Sequence, residues 1–188
     1  MVKLRDYEMI GIFIILGIAL ILGLFAMNFD LTNSVLRVFL PTNTSLWEIG
    51  KLLFVSTLIY AIFEYFAFGD HYENFGFAKL GSLVLGPLCY ILITYLVDLS
   101  FGNVNLFVHV LMFFISIALA QYISYYLMEK QIYFKLMNVY AGISVVTILL
   151  TFVVYTNNRA FSHPIFSEMK TYQNQVEKRT YYEPDFLQ

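Results

Sequence analysis

The sequence predicts an all-α membrane protein, a bundle of five transmembrane helices. Three observations predict it. The composition is 60% hydrophobic and only 13% charged, against about 45–50% and about 25% in soluble domains. Mean hydropathy is +0.71. The apolar residues come in five long blocks, each near the roughly 20 residues that a helix needs to cross a hydrocarbon layer about 30 Å thick. Lipid offers no hydrogen bonds to the backbone, so only helices or closed barrels can span it. These blocks are too long and too little alternating for barrel strands.

The first block, residues 9–27, exceeds the h-region of a signal peptide. It is led by Asp6 and Glu8 and is not followed by a small-residue cleavage pattern, so it is read as a retained span. The other spans are expected at about 46–68, 77–97, 106–127 and 137–155. Short connectors join them, and a polar tail, 156–188, follows. Lys3, Arg5, Lys79, Lys130 and Lys135 gather on one side, and Arg37, Lys51 and Arg159 on the other. The positive-inside bias then predicts a cytoplasmic N-terminus, an extracytoplasmic C-terminus and a multi-pass protein of the cell membrane. The formal net charge of −2 and the lack of a basic stripe give no case for nucleic acid, and the single cysteine, Cys89, allows no intrachain disulfide.

The second span has a marked start. In N-T-S-L-W-E, residues 43–48, Ser45 and Glu48 are spaced as a capping box, with Glu48 expected to reach back to the Ser45 N–H. Glu48 also suits the positive end of the helix dipole. Lys51 lies one turn on, an exposed-pair partner worth about 0.2–0.5 kcal/mol, and Trp47 fits an interfacial belt.

The stretch N-T-S-L-W-E-I-G-K-L-L-F, residues 43–54, resembles the N-E-S-x-W-E-H-x-K-L-x-F signature of a family of small five-span prokaryotic integral membrane proteins of unknown function. I-F-E-Y-F-A-F at 62–68, A-Q-Y-I-S-Y-Y-L at 120–127, and P-I-F at 164–166 followed by Tyr172 agree in order and spacing. The resemblance spans roughly residues 9–172 and implies a five-helix membrane fold without implying an activity. Ile49 stands where the family tends to have histidine, a Pro-Pro pair is replaced around 158–161, and the segment after Tyr172 looks like an addition.

Charged groups inside spans are costly and mark candidate sites. Glu64 lies on a small and polar stripe, Thr57, Tyr60, Ala61, Glu64 and Ala67, and is expected near the cytoplasmic end of its helix, where it reaches water, accepts a bond from a tyrosine, or handles a proton or cation. Similar stripes run through the third span (Gly86, Tyr90, Thr94, Asp98), the fourth (Asn105, His109, Ser116, Ala120, Ser124) and the fifth (Tyr140, Ser144, Thr147, Thr151, Tyr155). The first span shows none and is expected at the periphery. Pro87 leaves the Leu83 carbonyl without its usual donor, a place for a bend and a cavity.

Topology collects Glu48, Lys51, Asp98, His109, His163 and Glu168 at the outer face. With Glu64, the ligand-binding candidates are therefore Glu48, Lys51, Glu64, Asp98, His109 and His163. Metal-ligand spacing such as His-x-x-x-His is absent from the sequence, and no catalytic motif stands out, so no metal, catalytic residue or cofactor is assigned. The best-supported function is binding or transport of a small ligand or ion within the bundle. The alternative is a non-catalytic interaction subunit or sensor that uses the tail. A lipid-acting enzyme needs Glu48, Asp98, His109 and His163 to converge. Expected partners are the bilayer and a second copy or another membrane protein.

Overall fold

Each apolar block folds as a helix because its backbone then satisfies itself within the segment. The computed structural model describes residues 4–29, 35–101, 106–130, 136–157 and 164–166. Its five helices are α1 (Leu4–Asn28), α2 (Leu46–Phe68), α3 (Phe75–Phe101), α4 (Leu106–Glu129) and α5 (Met137–Asn157). Among the described residues there are no strands. All five helices are long and apolar enough to cross a membrane.

Successive helices run in opposite directions. The starts of α1, α3 and α5 and the ends of α2 and α4 meet at one end of the bundle, called here the N-terminal end. Lys79 of α3 touches Glu8 of α1 and Glu64 of α2 there. Asn138 of α5 donates to Glu73 O at 2.6 Å. At the other end Trp47 packs on Phe152 and Tyr155, and His109 faces Asp98.

Two helices extend furthest beyond their apolar blocks. α1 starts at Leu4, five residues before the predicted span. Leu4 packs against Phe75, Ala78 and Met128, and the Tyr7 ring lies 5.0 Å from that of Phe68. α3 runs from Phe75 to Phe101 and so carries both Lys79 and Asp98 inside the helix.

As expected, α1 lies at the periphery with few of its side chains buried, but one stripe of it faces inward. Glu8, Gly11, Ile15 and Ala19 are buried, a stripe at helical spacing set against α2 and α4. α5 is as exposed as α1 and packs mainly on α3. Its expected polar stripe does not enter the core: Tyr140 and Thr147 are exposed. Ser144, Thr147 and Thr151 each donate to the carbonyl four residues back, at 2.8–2.9 Å. Hydroxyls satisfied by their own helix need no partner across an interface. The side α5 buries is Met137, Ala141 and Phe152.

The middle of the bundle is apolar. Ile15, Ala19, Leu53, Tyr90, Phe113 and Ile117 form one buried cluster drawn from α1 to α4. α3 continues through Pro87 without interruption, and Pro87 lines a cavity of about 220 Å³ with Trp47, Gly50, Ile91 and Phe152.

Candidate functional site

Four helices each carry one polar side chain about one turn inside the N-terminal end: Glu8 on α1, Glu64 on α2, Lys79 on α3 and Ser124 on α4. Each helix rises about 1.5 Å per residue, so these side chains share a depth, and they meet. Lys79 Nζ donates to Glu8 Oε1 at 2.8 Å and pairs with Glu64 Oε2. Ser124 Oγ donates to Glu8 Oε1 at 2.9 Å. The Glu8, Glu64 and Lys79 side chains are only 3–4% exposed. The Lys79 ammonium also stands 5.9 Å from the Tyr60 ring and 5.7 Å from that of Phe75, within cation–π range.

One turn deeper lies a neutral layer. Tyr60 Oη donates to Tyr7 O at 2.9 Å. Gly11 is required here: a β-carbon on it would sit 2.7 Å from Tyr60 Oη and against the Gln121 amide. Gln121 is 1% exposed, and neither of its amide atoms has a hydrogen-bond partner; the same holds for Glu8 Oε2 and Glu64 Oε1. Buried polar atoms without partners are uncommon and call for an explanation. Two of them belong to the only charged group among the described residues that joins three helices, and two to the neutral layer beneath it.

Formal charge explains why the group is unusual. Two carboxylates share one ammonium, which leaves one negative charge in excess. Glu64 thus does not reach water; it lies beside Tyr60, the tyrosine partner the sequence suggested, and is ion-paired within the bundle. Lys79, expected only as an orientation charge, lies in the first turns of α3 and is its buried counter-ion.

The outer candidates resolve into separate pairs. Glu48 and Lys51 pair at 2.6 Å with side chains 7% and 0% exposed, so this is a buried link and not the surface pair expected. Lys51 Nζ also donates to Arg37 O at 2.9 Å. The capping box forms only in part. Ser45 Oγ accepts from Glu48 N at 3.3 Å, but Glu48 Oε2 accepts from Thr42 N at 2.9 Å, because Asn43 Oδ1 already takes Ser45 N. Glu48 and Lys51 therefore fasten the 35–45 connector to α2. Asp98 and His109 face each other across α3 and α4 at 3.9 Å. No hydrogen bond or ion pair among the described residues joins them to Glu48 and Lys51. His163 and Glu168 lie outside the described residues, as does Asn105. Among the described residues no group of three or more His, Cys, Asp or Glu side chains converges as a metal site.

Beyond the last span, Pro164–Phe166 forms a turn that returns to the bundle. Phe166 stacks on Tyr155 with centroids 5.8 Å apart and lies 5.4 Å from Trp47; Ile165 packs on the central cluster.

Fold and site together define a multi-pass α-helical membrane protein with an ion-paired carboxylate pair enclosed between four of its spans. The chain belongs to a family of unknown function (DUF6512), whose model matches residues 1–175. Comparison with curated proteins and with solved structures gives no match.

Proposed function

We propose that this protein of the cell membrane binds a proton or a monovalent inorganic cation at Glu8, Glu64 and Lys79, and that this binding is the core of an ion-binding or transport function. One observation carries the reading: two carboxylates, almost fully buried, share a single ammonium. Taking an unpaired ionised carboxylate out of water costs far more than a folded protein can tolerate. Charge balance calls for one further positive charge. A proton shared by the two carboxyls supplies it, as does a monovalent cation held by Glu8 Oε2, Glu64 Oε1 and the Gln121 carbonyl. A divalent ion would leave an excess of the opposite sign.

The apolar cluster of Ile15, Leu53, Phe113 and Ile117 separates this site from Asp98 and His109. That arrangement favours a site reached from one end over a continuously open pore. With Arg5 and Lys130 flanking the N-terminal end, the positive-inside rule sets the site near the cytoplasmic face and the chain end outside.

The test is the bound charge itself, measured on protein purified into lipid nanodiscs. Infrared spectroscopy reads a protonated carboxyl, and retention of radioactive sodium or rubidium reads a cation. One or the other, at one per chain, is expected in wild type and is lost in Glu64→Gln, while Glu48→Gln keeps it. Wild type with neither signal removes the reading. In proteoliposomes a cation gradient should drive proton movement, again abolished by Glu64→Gln.

The Pro164–Phe166 turn supports a second reading, an interaction subunit or sensor, because Phe166 packs on Trp47. A stoichiometric partner that survives mild detergent and is lost on deletion of residues 173–188 would favour it.

A further inference from the structure

A second feature adjoins the ionic site. An open cleft of about 660 Å³ lies between α2, α3 and α5, and Lys79 forms part of its lining. Pockets for drug-sized ligands run to about 300–1,000 Å³, so the cleft can take a molecule much larger than an inorganic ion. Ala61 and Tyr65 line it from α2, immediately beside Glu64 in the helix, and Gly142 lines it from α5. Its aromatic walls include Tyr65, Phe66, Tyr72 and Phe75, and Asp70 is its other charged lining residue.

We infer that this cleft binds a lipophilic organic cation, such as a quaternary phosphonium or an alkylammonium. Aromatic faces attract such cations through their ring quadrupoles. Asp70, Glu64 and Glu8 outnumber Lys79 by three charges to one. An anionic headgroup would meet an ammonium whose field is already cancelled by two carboxylates. The inference rests on the proposed function, in that the organic cation takes over the balancing role of the bound proton or inorganic ion. On arrival it adds one positive charge to the site, and the proton or ion departs to water, so the site's net charge is unchanged and no covalent bond is made or broken.

Tetraphenylphosphonium is the probe. Equilibrium dialysis against the full-length protein in nanodiscs should show saturable binding of one probe per chain. A weakly buffered medium should record one proton released, or bound radioactive sodium should be displaced. Glu64→Gln should weaken binding at least tenfold. Tyr65→Ala should weaken it several-fold while leaving the bound proton or inorganic ion in place. Gly142→Leu projects into the cleft without altering charge, and a β-carbon there meets nothing within 4 Å; it should lose the probe while keeping the bound proton or ion, which reports that it is folded. Probe binding untouched by both Tyr65→Ala and Gly142→Leu would move the site elsewhere and overturn the inference. So would an anionic amphiphile, dodecyl phosphate, binding more tightly than the phosphonium. No saturable probe binding alongside a retained bound proton or ion sinks the cleft assignment alone; loss of both signals sinks the proposed function with it.

Discussion

The charge imbalance at Lys79 makes a prediction with an unusual sign. Lys79→Met removes the only cation from a site with two carboxylates, each 3–4% exposed. Removing one partner of a buried ion pair costs about 3–5 kcal/mol, because the remaining charge is stranded. That is roughly a hundred- to several-thousand-fold in the folded-to-unfolded ratio. Glu64→Gln does the opposite. It deletes the excess charge and leaves Lys79 paired one-to-one with Glu8, which keeps its Ser124 hydrogen bond. Its expected cost is under about 1 kcal/mol, since replacing part of a buried ionic group by neutral atoms of similar shape is often neutral or stabilising. The triple variant Glu8→Gln, Glu64→Gln, Lys79→Met should recover most of the loss seen in Lys79→Met. Unfolding in mixed micelles of increasing denaturing detergent reads these differences through Trp47, the chain's single tryptophan. Its ring packs on Phe152, Tyr155 and Phe166 at the far end from the mutations. Equal destabilisation by Glu64→Gln and Lys79→Met would refute the reasoning, because the two carboxylates would then not be in excess.

Gly11→Val should destabilise by about 1–3 kcal/mol through overpacking against Tyr60 and Gln121 and displace Glu8, with loss of the bound proton or cation. Gly17→Ala, whose β-carbon meets nothing, is the neutral control in the same unfolding assay. Lys51→Met should cost about 3–5 kcal/mol by leaving the buried Glu48 carboxylate without its partner and should loosen the 35–45 connector, seen as faster amide hydrogen exchange there; the bound proton or cation at the other end should not change. Phe166→Ala removes two ring contacts, each worth about 0.5–1.5 kcal/mol, and should shift the Trp47 emission to longer wavelength by admitting water.

The five helices were legible because lipid leaves the backbone one economical solution, and block length reports it directly. The start of α1 and the role of Lys79 in α3 were not. Hydropathy ends a span at the first charge, so Glu8 read as a flank, while Lys79, inside the expected 77–97 span, read only as an orientation charge. The signal that could have found them was periodicity: Glu8, Gly11, Ile15 and Ala19 fall at helical spacing, and so do Lys79, Ser82, Gly86 and Tyr90, all buried. Glu64 was visible as a costly charge in a span; its partners were not, because they lie 56 residues before it and 15 after, and nothing local to Glu64 names them. The outer cluster shows the converse limit. Topology correctly brought Glu48, Lys51, Asp98 and His109 to one end, but sharing an end is weaker than sharing a site. Local demands captured the first pair: Thr42 N and Arg37 O use up the groups a ligand would need. α5 misled for the same reason in miniature, since a hydroxyl that bonds its own helix leaves a sequence pattern identical to one that bonds a neighbour.

The position of the ionic site relative to the apolar middle decides what kind of function it can serve. The Glu8–Glu64–Lys79 group lies about a turn from one end of its helices, and Asp98–His109 about a turn from the other. Between them Ile15, Leu53 and Ile117 are fully buried. An ion passing straight through would have to leave its carboxylates and cross that layer without ligands, at the cost that keeps charges out of bilayers. A site that exchanges with one face, or with a cleft opening beside Lys79, faces no such barrier. The helix forming the floor of that cleft, α3, is held close to its neighbours: a β-carbon at Gly86 would come 3.1 Å from the Ala120 methyl of α4, and one at Gly50 of α2 would come 2.9 Å from Ile91. Directly after Gly86, Pro87 removes the hydrogen bond to the Leu83 carbonyl. The segment of α3 that carries Lys79 is thus joined to the rest of its helix through the turn with the weakest backbone bonding, and the cleft lies beside that segment. On the proposed function, occupancy of the ionic site and the geometry of the cleft would act on the same stretch of helix, which is the coupling an exchange of one bound cation for another requires.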